Sequence, residues 1–171
     1  MLLSPLQNTA RFGLEWTQVR PRLTQAFGER PWYYSKYGMD GHNGLDFGPN
    51  GDENIFAPMS GYVKLGNSGS VGYGLHIKIR DSKKEVVLAH LSKVFVNDGA
   101  YVHVGDKIAV MGNTGDSSAK HLHLTLKYLI PTGGDRWQWE VKDYDNGYFG
   151  GVDPKPYLIT WKGSQSINTL T

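Results

Sequence analysis

The sequence has no cysteine. That excludes disulfides, a thiolate metal site and a cysteine nucleophile, so any metal must be held by His, Asp or Glu. It also has no run near the roughly 18 apolar residues of a membrane span. The opening segment, Met1 to Gln7, has no basic residue and no sustained apolar stretch. It does not read as a secretory signal, and the expectation is a chain made in the cytoplasm, released by another route or supplied as a mature fragment. Charge of one sign is scarce: 18 Lys and Arg against 16 Asp and Glu give a net +2. With no Lys/Arg run, nothing argues for nucleic acid. Long helical periodicity is absent as well, as are a Gly-x-Ser-x-Gly elbow and a His-Glu-x-x-His helix. A serine hydrolase and a helical zincin are thereby set aside.

What is present fits one globular domain. At 171 residues, 39% hydrophobic and 20% charged, the chain can bury roughly two-thirds of its unfolded surface around a single core. Its 22 glycines suit a fold with many tight turns. Residues 22–28 read as a short strand ending in a turn. From about Ile55 to Leu129, short strands alternate with glycine-containing turns: 61–66, 74–80, 85–91, 101–104, 107–112 and 121–126. The fold class expected is mainly β, with antiparallel sheet and long loops. The domain is expected to span 1–160 with its core at about 22–130. Residues 131–151, with Trp137, Trp139, Tyr144, Tyr148 and Phe149, read as a loop or hairpin insertion. That hairpin packs its aromatics onto the core or lines a substrate groove. Residues 161–171 read as a polar, frayed tail.

Three histidine signals carry chemistry. In His121-Leu122-His123, residues two apart on a strand project to one face, so both imidazoles point into one site. Leu122, Leu124 and Leu126 then face the core. In His42-Asn43-Gly44-Leu45-Asp46, Gly44, Gly48 and Pro49 argue against a helix. His42 and Asp46 are both good zinc ligands. Two His and one Asp leave a fourth tetrahedral position open, the mark of a catalytic site. Water bound to zinc at such a position has its pKa lowered to about 7. His90, in Ala89-His90-Leu91-Ser92, stands where an apolar strand runs into a loop. Taken singly, each signal also reads as ordinary strand or surface histidines. His76 and His103 read as non-ligands. Asn43 suits a turn or a hydrogen bond to a ligand, and Tyr73 lies near the groove.

Order and spacing carry more than any one signal. The chain resembles the lysostaphin-type, LytM-like zinc peptidases that cut peptidoglycan peptides. His42-Asn43-Gly44-Leu45-Asp46, Ala89-His90-Leu91-Ser92 and His121-Leu122-His123 follow that family's order. Ala57-Pro58-Met59-Ser60-Gly61-Tyr62-Val63, Gly72-Tyr73-Gly74, Val104-Gly105-Asp106-Lys107, Gly112-Asn113-Thr114-Gly115 and Val152-Asp153-Pro154 have counterparts too. Ala119-Lys120 stands where the family usually has Gly-Pro, and Leu124 replaces a frequent Phe; neither touches a ligand.

The resemblance implies an open barrel-like core related to the biotinyl/lipoyl hybrid-motif barrel. It implies one zinc per chain on His42, Asp46 and His123, with His90 and His121 as catalytic histidines. It implies an endopeptidase that hydrolyses a stem-peptide cross-link or glycine bridge in the cell wall. A compact single domain without a signal sequence, expected to be monomeric, suits a phage lysin or virion-associated enzyme. The other origin open to it is a bacterial hydrolase exported by another route or trimmed of its leader. Membrane insertion is not expected. The alternative is a catalytically silent wall-binding or regulatory module of the same family. A biotinyl or lipoyl carrier is disfavoured, because Val110-Met111-Gly112 offers no hairpin lysine.

Overall fold

Period-two alternation decides which residues become sheet. Leu75 to Arg80 bury Ile77 and Ile79 completely while His76, Lys78 and Arg80 stay partly exposed, the signature of a strand with one core face. The structure, a computed structural model, describes residues 2–3, 22–49, 51–132, 139–160 and 168–169. The expectations for the rest of the N-terminal segment, for Trp137 and for most of the C-terminal tail lie outside the described residues.

The strands are β1 (Leu2–Leu3), β2 (Arg22–Gln25), β3 (Leu45–Gly48), β4 (Asn54–Phe56), β5 (Gly61–Asn67), β6 (Leu75–Arg80), β7 (Lys84–Ala89) and β8 (Leu91–Val94). They continue with β9 (Tyr101–Val102), β10 (Lys107–Met111), β11 (Leu122–Ile130), β12 (Glu140–Val141), β13 (Gly151–Val152), β14 (Leu158–Thr160) and β15 (Asn168–Thr169). One helical turn, α1 (Pro31–Tyr34), runs into a 3-10 turn at Ser35–Tyr37. No described helix is long and apolar enough to cross a membrane.

The main sheet runs β2-β3-β11-β7-β6-β5-β9, with β12 and β13 also on β11. A second sheet, β4-β10-β8, packs across it, and β1-β14-β15 forms a third. The pairings are antiparallel except that of β1 with β14. Val63, Ile77, Ile79, Leu88, Leu122, Leu124 and Leu126 from the main sheet meet Ile55, Leu91, Ile108 and Met111 in one core. The fold is thus mainly β, antiparallel and open, as expected.

The structure departs from the sequence reading at strand ends. β9 stops at Val102 because Asp106 accepts the His103 N–H. The run 85–91 is two strands in different sheets, β7 and β8, broken at His90. β3 and β4 are added, and Glu140–Val141 pairs antiparallel with Leu129–Ile130.

The other face of the main sheet positions the site. On β11, His123, Thr125 and Lys127 project away from the leucines. They stand opposite Ala89, Val87 and Glu85 of β7.

Candidate metal centre

Three segments bring their ligand atoms to one point. β3 pairs with β11 so that Asp46 stands opposite His123, and the loop before β3 carries His42. His42 Nε2 lies 2.9 Å from His123 Nδ1 and 3.1 Å from Asp46 Oδ1. His123 Nδ1 lies 2.9 Å from the same Oδ1. All three residues are buried. Gly44 makes this approach possible, since a Cβ there would lie 2.3 Å from the Leu124 carbonyl and 2.8 Å from the His123 ring.

The donor set fits a cation. His42 Nδ1 faces the Ala26 carbonyl at 3.1 Å, so it must carry the proton, and Nε2 of the neutral ring is a bare lone pair. That lone pair and the Asp46 carboxylate, both acceptors, face one another with at most one proton available from His123. A cation at their meeting point removes the deficit. Burial works against the Asp46 charge, yet the His123 and His42 imidazoles packed against it hold its carboxyl well below the usual range. Burial also draws His123 down, opposed by Asp46. Two imidazoles and one carboxylate are a zinc-type ligand set with a position left open.

Two more imidazoles flank the cluster. His90 adopts φ 61°, a region that costs a non-glycine residue about 1–3 kcal/mol and concentrates at functional sites. Its Nδ1 donates to the Thr114 carbonyl at 2.7 Å, and its Nε2 has no hydrogen-bond partner among the described residues. Burial foremost, with the neighbouring His123 and His121 adding to it, lowers His90 to about 4 against the pull of that carbonyl. His121 donates from Nδ1 to the Ala119 carbonyl at 2.8 Å, with Ser117 Oγ at 3.1 Å. Its Nε2 reaches to 3.6 Å from Asp46 Oδ2. The His90 and His121 rings are 4.6 Å apart.

All five residues singled out in the sequence therefore converge. His76 and His103 do not join them: His76 bonds the Gly74 carbonyl, and His103 is exposed beside Asp106. Sequence reasoning missed Tyr34. Its ring lies 5.4 Å from that of His42, and its hydroxyl accepts from Gln25 at 3.0 Å. Burial, then the Asp46 charge, pushes its pKa up to about 12, so the phenol keeps its proton. Tyr37 of the same turn hydrogen-bonds Asp116 and so links this wall to the loop that carries Ser117. Gly147 and Tyr148 buttress the ligand loop: Tyr148 packs on Phe27 with ring centroids 4.4 Å apart, and the Asp40 N–H donates to the Gly147 carbonyl. Tyr144 is half exposed.

An open antiparallel scaffold that gathers two histidines and a carboxylate, with two further imidazoles beside them, defines a domain of the β-rich metallopeptidase class. The signature of peptidase family M23 matches residues 40–136, more than half of the chain, and the chain belongs to that family. It is 36% identical over 83 residues to an uncharacterized metalloprotease of Haemophilus influenzae, which is 48% of this chain and 18% of that protein. It is 33% identical over 89 residues to the murein hydrolase activator NlpD of Escherichia coli, 52% of this chain and 23% of that one. The matched region thus spans less than a quarter of either relative. Among solved structures, the catalytic domain of EnpA, a prophage-encoded M23 protein of Enterococcus faecalis, superposes with a TM-score of 0.58 at 26% identity. The catalytic domain of lysostaphin, an antimicrobial peptidase of Staphylococcus simulans, does so at 0.59 and 25%. Each comparison covers 80% of this chain and 91% of the other.

Proposed function

We propose that this chain is a zinc-dependent endopeptidase that hydrolyses peptide bonds in bacterial peptidoglycan, with His42, Asp46 and His123 as ligands to one zinc. The observation that carries the reading is the convergence of three ligand atoms within 3.1 Å of one another, beside two imidazoles held by backbone carbonyls. When bound, the ion supplies Lewis acidity toward a peptide carbonyl and toward water. The residues supply the rest. Asp46 brings negative charge, and the Ala26 carbonyl fixes His42 in the tautomer that presents Nε2. His90, neutral at pH 7, is suited to accept a proton at Nε2; His121, near Asp46, is suited to carry one to the leaving amine. The Tyr34 phenol remains a hydrogen-bond donor on the wall beside His42.

That every position of the site is filled favours an active enzyme over a silent binding or regulatory module. Likeness to a prophage-encoded protein favours a phage lysin acting on the wall. The test is mass spectrometry of purified sacculi, of glycine-bridged and of directly cross-linked chemistry, after digestion with and without a chelator. Peptide fragments released from one wall type and abolished by the chelator are expected. Zinc uptake with neither wall cleaved would favour the silent module.

A further inference from the structure

The outer nitrogen of His123 opens onto a second network. His123 Nε2 lies 2.7 Å from Thr125 Oγ1, and the Thr125 side chain hydrogen-bonds Tyr73. The Tyr73 hydroxyl also accepts from Asn43 Nδ2 at 3.2 Å, and Asn43 is the neighbour of His42 in the chain. The Tyr73 ring packs 5.5 Å from that of His123. Its main chain is engaged as well, since the His90 N–H donates to the Tyr73 carbonyl at 3.0 Å. That bond holds the residue at which the chain leaves one sheet for the other. Tyr73 itself is fixed by Gly74 at φ 57°, where a Cβ would lie 2.4 Å from Gly115 N.

We infer that Tyr73 is a positioning residue whose hydroxyl sets the tautomer of His123 through Thr125, while its carbonyl ties that ligand geometry to His90. A neutral His123 that presents Nδ1 to a metal must carry its proton on Nε2. Thr125 Oγ1 accepts that proton's hydrogen bond and donates its own hydrogen to Tyr73, whose oxygen also takes the Asn43 N–H. The chain of donors runs one way, from ligand to phenol. Such outer partners fix ring orientation and raise ligand basicity. Without the phenol, Thr125 loses the acceptor that keeps it from donating to Nε2, and the competing tautomer places the proton on Nδ1, where the metal should sit.

The inference rests on the zinc-site reading, and its test uses metal affinity. Chelator competition on the full chain compares the unaltered protein with Tyr73→Phe, Thr125→Val, Thr125→Ser and the double variant Tyr73→Phe/Thr125→Val. Tyr73→Phe keeps the ring and the carbonyl. Tyr73→Phe and Thr125→Val are each expected to weaken zinc binding by about 10–100-fold and to shift the visible bands of the cobalt-loaded protein. Thr125→Ser should bind as the unaltered chain does, and the double variant no more weakly than Thr125→Val alone. Unchanged affinity in Tyr73→Phe, or losses that multiply in the double variant, would overturn the relay. If Tyr73→Phe fails to fold, the Thr125→Val and Thr125→Ser pair decides: equal affinities would overturn it. Absence of zinc from the unaltered chain would overturn the parent reading instead.

Discussion

Glu85 and Asp46 are both buried, at 1% and 8% exposure, and both meet the same strand of the same sheet. Glu85 stands opposite Lys127 of β11 and Arg80 of β6 and is ion-paired with the Arg80 guanidinium. Burial draws the Lys127 ammonium down, and the Glu85 charge pulls it back up. Four residues along β11, about 13 Å away, Asp46 has ion-pair contacts to histidines alone among the described residues. One carboxylate is neutralised by a permanent cation that the chain supplies, the Arg80 guanidinium. The other faces imidazoles, of which His42, 3.1 Å away, has spent its N–H on a carbonyl. The difference separates a structural charge from a site built to take a charge from outside.

Substitutions at the two positions should therefore fail in different ways. Asp46→Ala has the largest expected effect: loss of bound zinc, measured by metal analysis, and release of wall fragments reduced to background. Next is His90→Ala, expected to keep its zinc and to lose about 10²–10⁴-fold in turnover, the usual worth of acid–base assistance. Full activity in that variant would remove His90 from the chemistry. Glu85→Gln breaks a buried pair and should cost about 3–5 kcal/mol in denaturant unfolding, with zinc stoichiometry unchanged; metal loss there would erase the contrast. The smallest effect is on the unaltered chain. Zinc at 100 times its Kd should raise stability by about 2.7 kcal/mol, read as a higher melting temperature, and Asp46→Ala should show no such rise.

Much of this was legible in the sequence because it follows short periods. Leu122, Leu124 and Leu126 face the core while His123 points the other way, as alternation requires. The three histidine signals converge in the order that the family resemblance implies. What escaped the sequence depends on contacts across long separations. Tyr34 reaches His42 only because one helical turn folds back against β2 through Gln25. The switch of sheet at His90 is invisible in Glu85 to Leu91, where the apolar run Val86 to Ala89 leads straight into the histidine and gives no hint of a positive φ. Thr125 reads as a strand residue until its hydroxyl is seen against His123. The Gly72-Tyr73-Gly74 motif does hint at a special backbone, and Gly74 serves the close approach to Gly115.

The most direct test of the central claim is zinc K-edge absorption fine structure on the chain loaded with one equivalent of metal. A shell of nitrogen and oxygen with two imidazoles is expected, unchanged in His121→Ala and in Glu85→Gln. A third imidazole, or the loss of one in His121→Ala, would contradict the division between ligands and catalytic histidines.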